Sequence, residues 1–278
     1  MNILHEPNMH ECRLQPRFLD AELVIALEQS DRQLNLANAK LLGINEDLKQ
    51  FAFAASHDLQ EPLRMLSIYS QLVKRNYQGR LDQTADEHLQ TIADGAKRMR
   101  ALLIDLLDYS TLMGEEGFLT PVYVEPNEVL DKVTGNLARR VELSQATITC
   151  QSLPCVYTSE VHLMQLFQNL ISNAIKFRGS QPLQIDISAK VDGCVCTFAV
   201  KDNGIGIDRA YHKHIFGLFK RLHGKDVPGT GIGLAICQKI VERYGGRIWV
   251  EAQLDCGSRF CFELPAEPCK ILPSRVVL

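Results

Sequence analysis

Gly229-Thr230-Gly231-Ile232-Gly233-Leu234-Ala235 opens a helix expected from about Gly231 to Tyr244. Free backbone N–H groups and the positive end of a helix dipole make such a junction a cradle for phosphate. It is not a P-loop, because no Gly-Lys-Ser/Thr ending follows. Upstream, Asp202-Asn203-Gly204-Ile205-Gly206 stands directly after a strand-like run. A carboxylate at a strand end can accept from an exocyclic amine such as that of adenine, and two glycines let backbone approach a ligand closely.

Further upstream, Asn169, Asn173 and Lys176 fall four and three residues apart in a helical pattern, and so share one face. Leu166, Leu170, Ala174 and Phe177 are left to pack elsewhere. Two amides and an ammonium on one face suit a hydrated Mg²⁺ and phosphate oxygens. Between the two glycine clusters lies a cationic segment, Lys213, Lys220, Arg221, His223 and Lys225, read as a mobile flap able to neutralise charge on a phosphoryl group in transfer. Taken singly, each cluster also reads as an ordinary turn, polar helix face or solvated charge run.

These clusters sit in a pattern of mixed strands and helices. Strands are expected at Pro121–Val124 and Thr147–Cys150, and helices at Asn127–Leu143 and Ser159–Phe177. Leu183–Val191 with Cys194–Lys201 predicts a hairpin around Asp192-Gly193, and Arg247–Gln253 with Ser258–Leu264 a second around Asp255–Gly257. The order implies a mixed sheet with helices on one face.

The N-terminal part has a different period. Leu27, Leu34, Leu41 and Leu48 recur every seven residues, with Ala37, Ile44 and Phe51 between, which predicts a parallel coiled coil. From Phe51 the steps lengthen to four through Ala55, Leu59 and Leu63, and such steps locally unwind a supercoil. His57 lies two residues past Ala55, roughly 200° around the helix, and is expected to face solvent. Pro62 should kink the helix, since it cannot donate to the carbonyl of Asp58. A turn at Tyr77–Gly79 leads to a second helix from about Asp82 to Leu112. A helical hairpin cannot enclose both of its apolar faces, so a homodimeric four-helix bundle is implied.

Composition narrows the function classes. The 278 residues carry a net charge of -3, which makes no case for a nucleic-acid or membrane-surface partner. No apolar run approaches a membrane span and no secretion signal opens the chain, so a cytoplasmic location is expected. The nine cysteines are read as reduced, mostly buried thiols, with Cys194 and Cys196 on the same side of a sheet. His5, His10 and Cys12 do not match the spacing of a tight metal site.

Together the motifs carry a resemblance. "NLISNAIKF", "DNGIGID", "IFGLFKRLHG" and "GTGIGLAI" resemble the N, G1, F and G2 boxes of histidine-kinase ATP-binding domains, and "FAFAASHDLQEPLRM" resembles the H box of their dimerisation domain. The likeness spans about residues 45–265 and is greatest to the transmitter modules of bacterial phytochromes and related sensors. It implies an α + α/β architecture, in which a coiled coil and dimeric four-helix bundle precede an α/β-sandwich (Bergerat) ATP-binding domain. The expected organisation is a disordered segment at 1–16, a coiled-coil signalling helix at 17–50, a dimerisation and phosphotransfer domain at 51–114, a catalytic domain at 120–265 and a tail at 266–278.

By matching position, His57 resembles the phosphoacceptor, Asp202 the reader of the adenine amino group and Asn173 the Mg²⁺ ligand. Asn169, Lys176 and Arg221 resemble phosphate contacts, and Gly204, Gly206, Gly229, Gly231 and Gly233 the glycines that admit nucleotide. Asp58 is placed to take a proton from one nitrogen of His57 while the other attacks. The implied activity is ATP-dependent autophosphorylation of His57, with ATP and Mg²⁺ as cofactors. No receiver-like repeat is present, so transfer to a separate response regulator is expected. Only a short segment precedes the coiled coil, which suggests either a piece of a longer sensor or a transmitter driven by a separate sensor protein. Two other classes use the same elements. A chaperone- or topoisomerase-type ATPase would need a further domain after the ATP module, and a scaffold would have lost residues that are present here.

Overall fold

A computed structural model describes residues 15–77, 79–80, 82–114, 120–222 and 229–267; within its first helix the side chains of 15–22, 38, 41–42 and 44–57 lie outside that description. The chain divides between Phe51 and Ala52 into two units. Helix α1 (Gln15–Tyr77) supplies the first of these. There Leu27 and Leu34, one heptad apart, are 58% and 60% exposed. His5, His10 and Cys12 lie outside the described residues.

In the second unit α1 continues through Pro62 and ends at a tight turn, where Gly79 has φ +74° and Arg80 N–H donates to the Tyr77 carbonyl at 2.8 Å. Asp82 then starts α2 (Gln83–Gly114) by accepting from Ala85 N–H at 2.7 Å, satisfying one of the orphan donors of a helix start.

An α/β domain follows. Its elements are β1 (Val122–Val124), α3 (Pro126–Ser144), β2 (Thr147–Cys150), β3 (Val156–Thr158), α4 (Glu160–Lys176), β4 (Gln184–Asp192), β5 (Val195–Asp202), α5 (Gly233–Arg243), β6 (Ile248–Ala252) and β7 (Ser258–Pro265). Five strands form one sheet in the order β2-β4-β5-β7-β6, parallel between β2 and β4 and antiparallel elsewhere. Strands β1 and β3 make a separate antiparallel pair. The helical part followed by this layered sheet is the α + α/β architecture expected.

The period-2 strands put Ile185, Ile187, Phe198, Val200, Phe260 and Phe262 on the face that packs against the helices. Phe167 of α4 sets its ring edge-on to Phe198 and Phe262, with centroids 5.9 and 6.1 Å away, and those two stack at 5.0 Å. This fully buried trio fixes the rotation of α4 about its axis.

Three details depart from the sequence reading. Strand β3 was not anticipated, because three residues are too short to display a period. Cys194 falls in the turn with Gly193 (φ +59°) rather than on β5, so it is exposed while Cys196 is buried. Of the seven described cysteines, all free, Cys150, Cys155, Cys194 and Cys256 are exposed, so most are not the buried small hydrophobes expected. Among the described residues no helix is long and apolar enough to cross a membrane.

Candidate functional site

The phenylalanine trio turns the polar shoulder of α4 toward the loops that follow β5 and precede α5. There Asn169, Asn173 and Lys176, all half-buried, line a cavity of about 1080 Å³ together with Asp202, Gly206, Arg221, Gly229, Gly231 and Gly233. Residues distant in sequence are thus gathered around one space.

The loop after β5 is built on Asp202. Its Oδ1 accepts from Gly204 N–H at 2.8 Å and from Ser258 N–H at 3.3 Å, which fixes the carboxylate at the strand end. Among the described residues no donor reaches Oδ2, while the residue itself is buried and lines the cavity. Burial raises its pKa above the ordinary carboxylate value, and the two N–H bonds oppose the rise. Gly206 has φ +72°, and a Cβ there would run into the carbonyl of Gln253. No other residue type fits that turn. Gly204 differs from the expectation. It does not line the cavity, and a side chain on it would strike the carbonyl of Phe177, so it serves the turn itself.

The second glycine loop leans on α4. A Cβ at Gly233 would lie 3.0 Å from Asn169 Oδ1, and one at Gly229 would meet Lys176 Nζ. Burial, then the charge of Arg221, lowers the Lys176 pKa. Two cations held so that they repel across a cavity are relieved by an anion between them. Of the expected cationic flap, Lys220 and Arg221 line the cavity, Lys213 is exposed, and His223 and Lys225 lie outside the described residues.

His57 falls within α1, but its side chain is outside the described set. Asp58 beside it is exposed. Arg140, Ser144 and Ile207 also line the cavity and were not foreseen, since no motif marks them. Nor was the contribution of α2, whose Asp94, Lys97, Arg98, Ala101 and Asp105 border the same space.

The far end of α4 is pinned to α5 through Tyr244, whose hydroxyl lies 2.7 Å from His162 Nδ1 and accepts from Ser159 N–H at 3.0 Å. Burial, with the charge of Arg243 adding to it, lowers the His162 pKa from 6.5 to about 4. A depressed histidine pKa contributes stability that is present above pH 6.5 and lost as pH falls toward 4, because the unfolded chain takes the proton first. Thermal melts across that window are expected to show a falling midpoint in the parent, with a flatter profile in His162→Gln. Identical pH profiles would refute the coupling.

Residues 47–115 match the family model "His Kinase A (phospho-acceptor) domain", and residues 158–268 match "Histidine kinase-, DNA gyrase B-, and HSP90-like ATPase". The chain is 45% identical over 242 residues to cyanobacterial phytochrome A of Nostoc sp., covering 87% of this chain and 31% of that protein. It therefore spans about a third of the length of that relative. Among solved structures, full-length ShkA in complex with AMPPNP is similar with a TM-score of 0.62 at 24% identity, covering 80% of this chain and 47% of that one. Histidine kinase ThkA in complex with response regulator protein TrrA is similar with a TM-score of 0.55 at 22% identity, covering 80% of this chain and 62% of that one. At those identities the likeness is one of fold.

Proposed function

We propose that this chain, which belongs to the histidine kinase family, is the transmitter part of a two-component sensor: it transfers the γ-phosphoryl group of ATP to its own His57 and then to an aspartate of a separate response regulator. The observation that carries the reading is the gathering of Asn173, Lys176, Asp202 and the Gly229–Gly233 loop around one cavity, in a chain that also holds a phospho-acceptor-type helical segment.

Each residue has a role in this reading. Asp202 Oδ2 accepts from the adenine amino group, while Asn169, Lys176 and Arg221 hold the phosphates. The glycines at 206, 229, 231 and 233 admit nucleotide to the backbone. The amide oxygen of Asn173, a half-buried residue that lines the cavity, is the kind of hard, neutral donor that suits hydrated Mg²⁺ and would hold it. When bound, that ion supplies charge neutralisation between the phosphates. One ring nitrogen of His57 attacks the γ-phosphorus, the bond to the bridging oxygen of the β-phosphate breaks, ADP leaves, and the proton on the other ring nitrogen passes to Asp58.

We assign 17–50 as the signalling coiled coil, 51–114 as the dimerisation and phosphotransfer domain, 120–265 as the catalytic domain and 266–278 as a tail. The exposed Leu27 and Leu34 favour pairing of α1 with a second copy, giving a homodimer. The matched response-regulator complex supports such a regulator as the partner. A cytoplasmic setting, with ATP and reduced thiols, completes the reading.

The test is incubation with ATP and Mg²⁺. A protein-bound phosphate that is lost in acid and kept in base is expected, and it should move to an added receiver domain. Free phosphate released without labelling would indicate an ATPase of the related clamp type, and neither outcome would indicate a scaffold.

A further inference from the structure

Helix α2 does more than border the nucleotide cavity. Its Leu102, Leu106, Tyr109 and Leu112 pack against the core of the α/β domain. Arg243 donates to the Leu112 carbonyl at 3.5 Å and Gln165 to Asp108 at 3.2 Å. One contact reaches the glycine loop itself. Thr230 Oγ1, between Gly229 and Gly231, donates to Asp105 Oδ2 at 2.5 Å and accepts from Ile232 N–H at 3.3 Å. The hydroxyl at the mouth of the phosphate cradle is therefore engaged by a carboxylate from another part of the chain.

That carboxylate is held at a disadvantage. Burial raises the Asp105 pKa, and only the Thr230 bond opposes it. Asp108, one turn on, is raised by burial and by the charge of Asp105. Two acidic groups, the first disfavouring ionisation of the second, thus sit where α2 meets the α/β domain beside the cavity.

We propose that Asp105 is a competitor for the phosphate end of the nucleotide: it clasps Thr230 and holds the α/β domain against α2, and phosphates entering the loop drive it off. The inference rests on the nucleotide reading above. Phosphate and carboxylate are both acceptors for one hydroxyl and both negative, so they exclude each other in a half-buried space. Coupling is reciprocal: a clasp that weakens nucleotide binding is weakened equally by bound nucleotide. Nucleotide would then loosen α2 from the α/β domain.

The experiment is calorimetric titration of the whole chain with ADP plus Mg²⁺, and separately with adenosine, which carries the base without phosphate. Asp105→Ala removes clasp and charge, and Asp105→Asn removes the charge while keeping the side-chain shape. Both are expected to tighten ADP about 10-fold, a typical coupling between linked sites, and to leave adenosine unchanged. Unaltered ADP affinity, or an equal gain for adenosine, would overturn the clasp while leaving the nucleotide site standing. A parent chain that binds neither ligand would overturn both readings.

Discussion

His57→Gln is expected to abolish the acid-labile phosphate formed on incubation with ATP, a loss of at least about 10³-fold in labelling rate, as for removal of a covalent nucleophile. A neutral imidazole presents an in-plane nitrogen lone pair near pH 7, whereas the glutamine nitrogen shares its lone pair with the carbonyl. Nucleotide affinity should be unchanged, because none of the described residues lining the cavity comes from α1, the helix that carries residue 57. The paired measurement is what gives the result its meaning. Lost label with intact binding assigns the acceptor to His57, while undiminished label in the variant would sink that assignment. Asp58→Asn should slow labelling by about 10²-fold without abolishing it, as expected for a proton acceptor rather than the nucleophile.

The site was legible in the sequence to the extent that its residues carry a chemical signature. Glycines mark backbone that must turn or be approached, and Gly206 with its positive φ is such a case. The steps from Asn169 to Lys176 convert directly into one helix face, because Phe167 and its neighbours consume the opposite one. Gly204 shows the limit of that logic. The same residue type in the same motif answers to the Phe177 carbonyl instead of the cavity. The docking of α2 was illegible for another reason. Leu102, Leu106, Tyr109 and Leu112 repeat at helical spacing, and a stripe of that kind reads equally well as a bundle seam or as a seat for a neighbouring domain. Charge complementarity did not help either, since Asp105 meets a threonine rather than a cation.

Asp202→Asn is expected to weaken ATP by about 1.5–3 kcal/mol, a loss on the order of 10- to 150-fold, the value of a hydrogen bond to a charged group. The substitution separates recognition from architecture. Asparagine keeps an Oδ1 able to accept from Gly204 and Ser258, so the turn that shapes the loop survives. What changes is the other branch, where an acceptor oxygen becomes an NH₂ donor facing the donor of the adenine amino group. GTP offers a carbonyl at that position, so its weaker affinity should hold or rise slightly. The ratio of the two affinities therefore reports the contact even if overall stability shifts. Acid should act in the same direction as the mutation. Burial has raised the Asp202 pKa, and as pH falls through it the proton lands on the branch that no described protein donor holds, turning acceptor into donor. ATP affinity should then decline with acidification in the parent and stay nearly level in Asp202→Asn. Equal ATP affinities for parent and variant at neutral pH would show that Asp202 shapes the turn and reads no base.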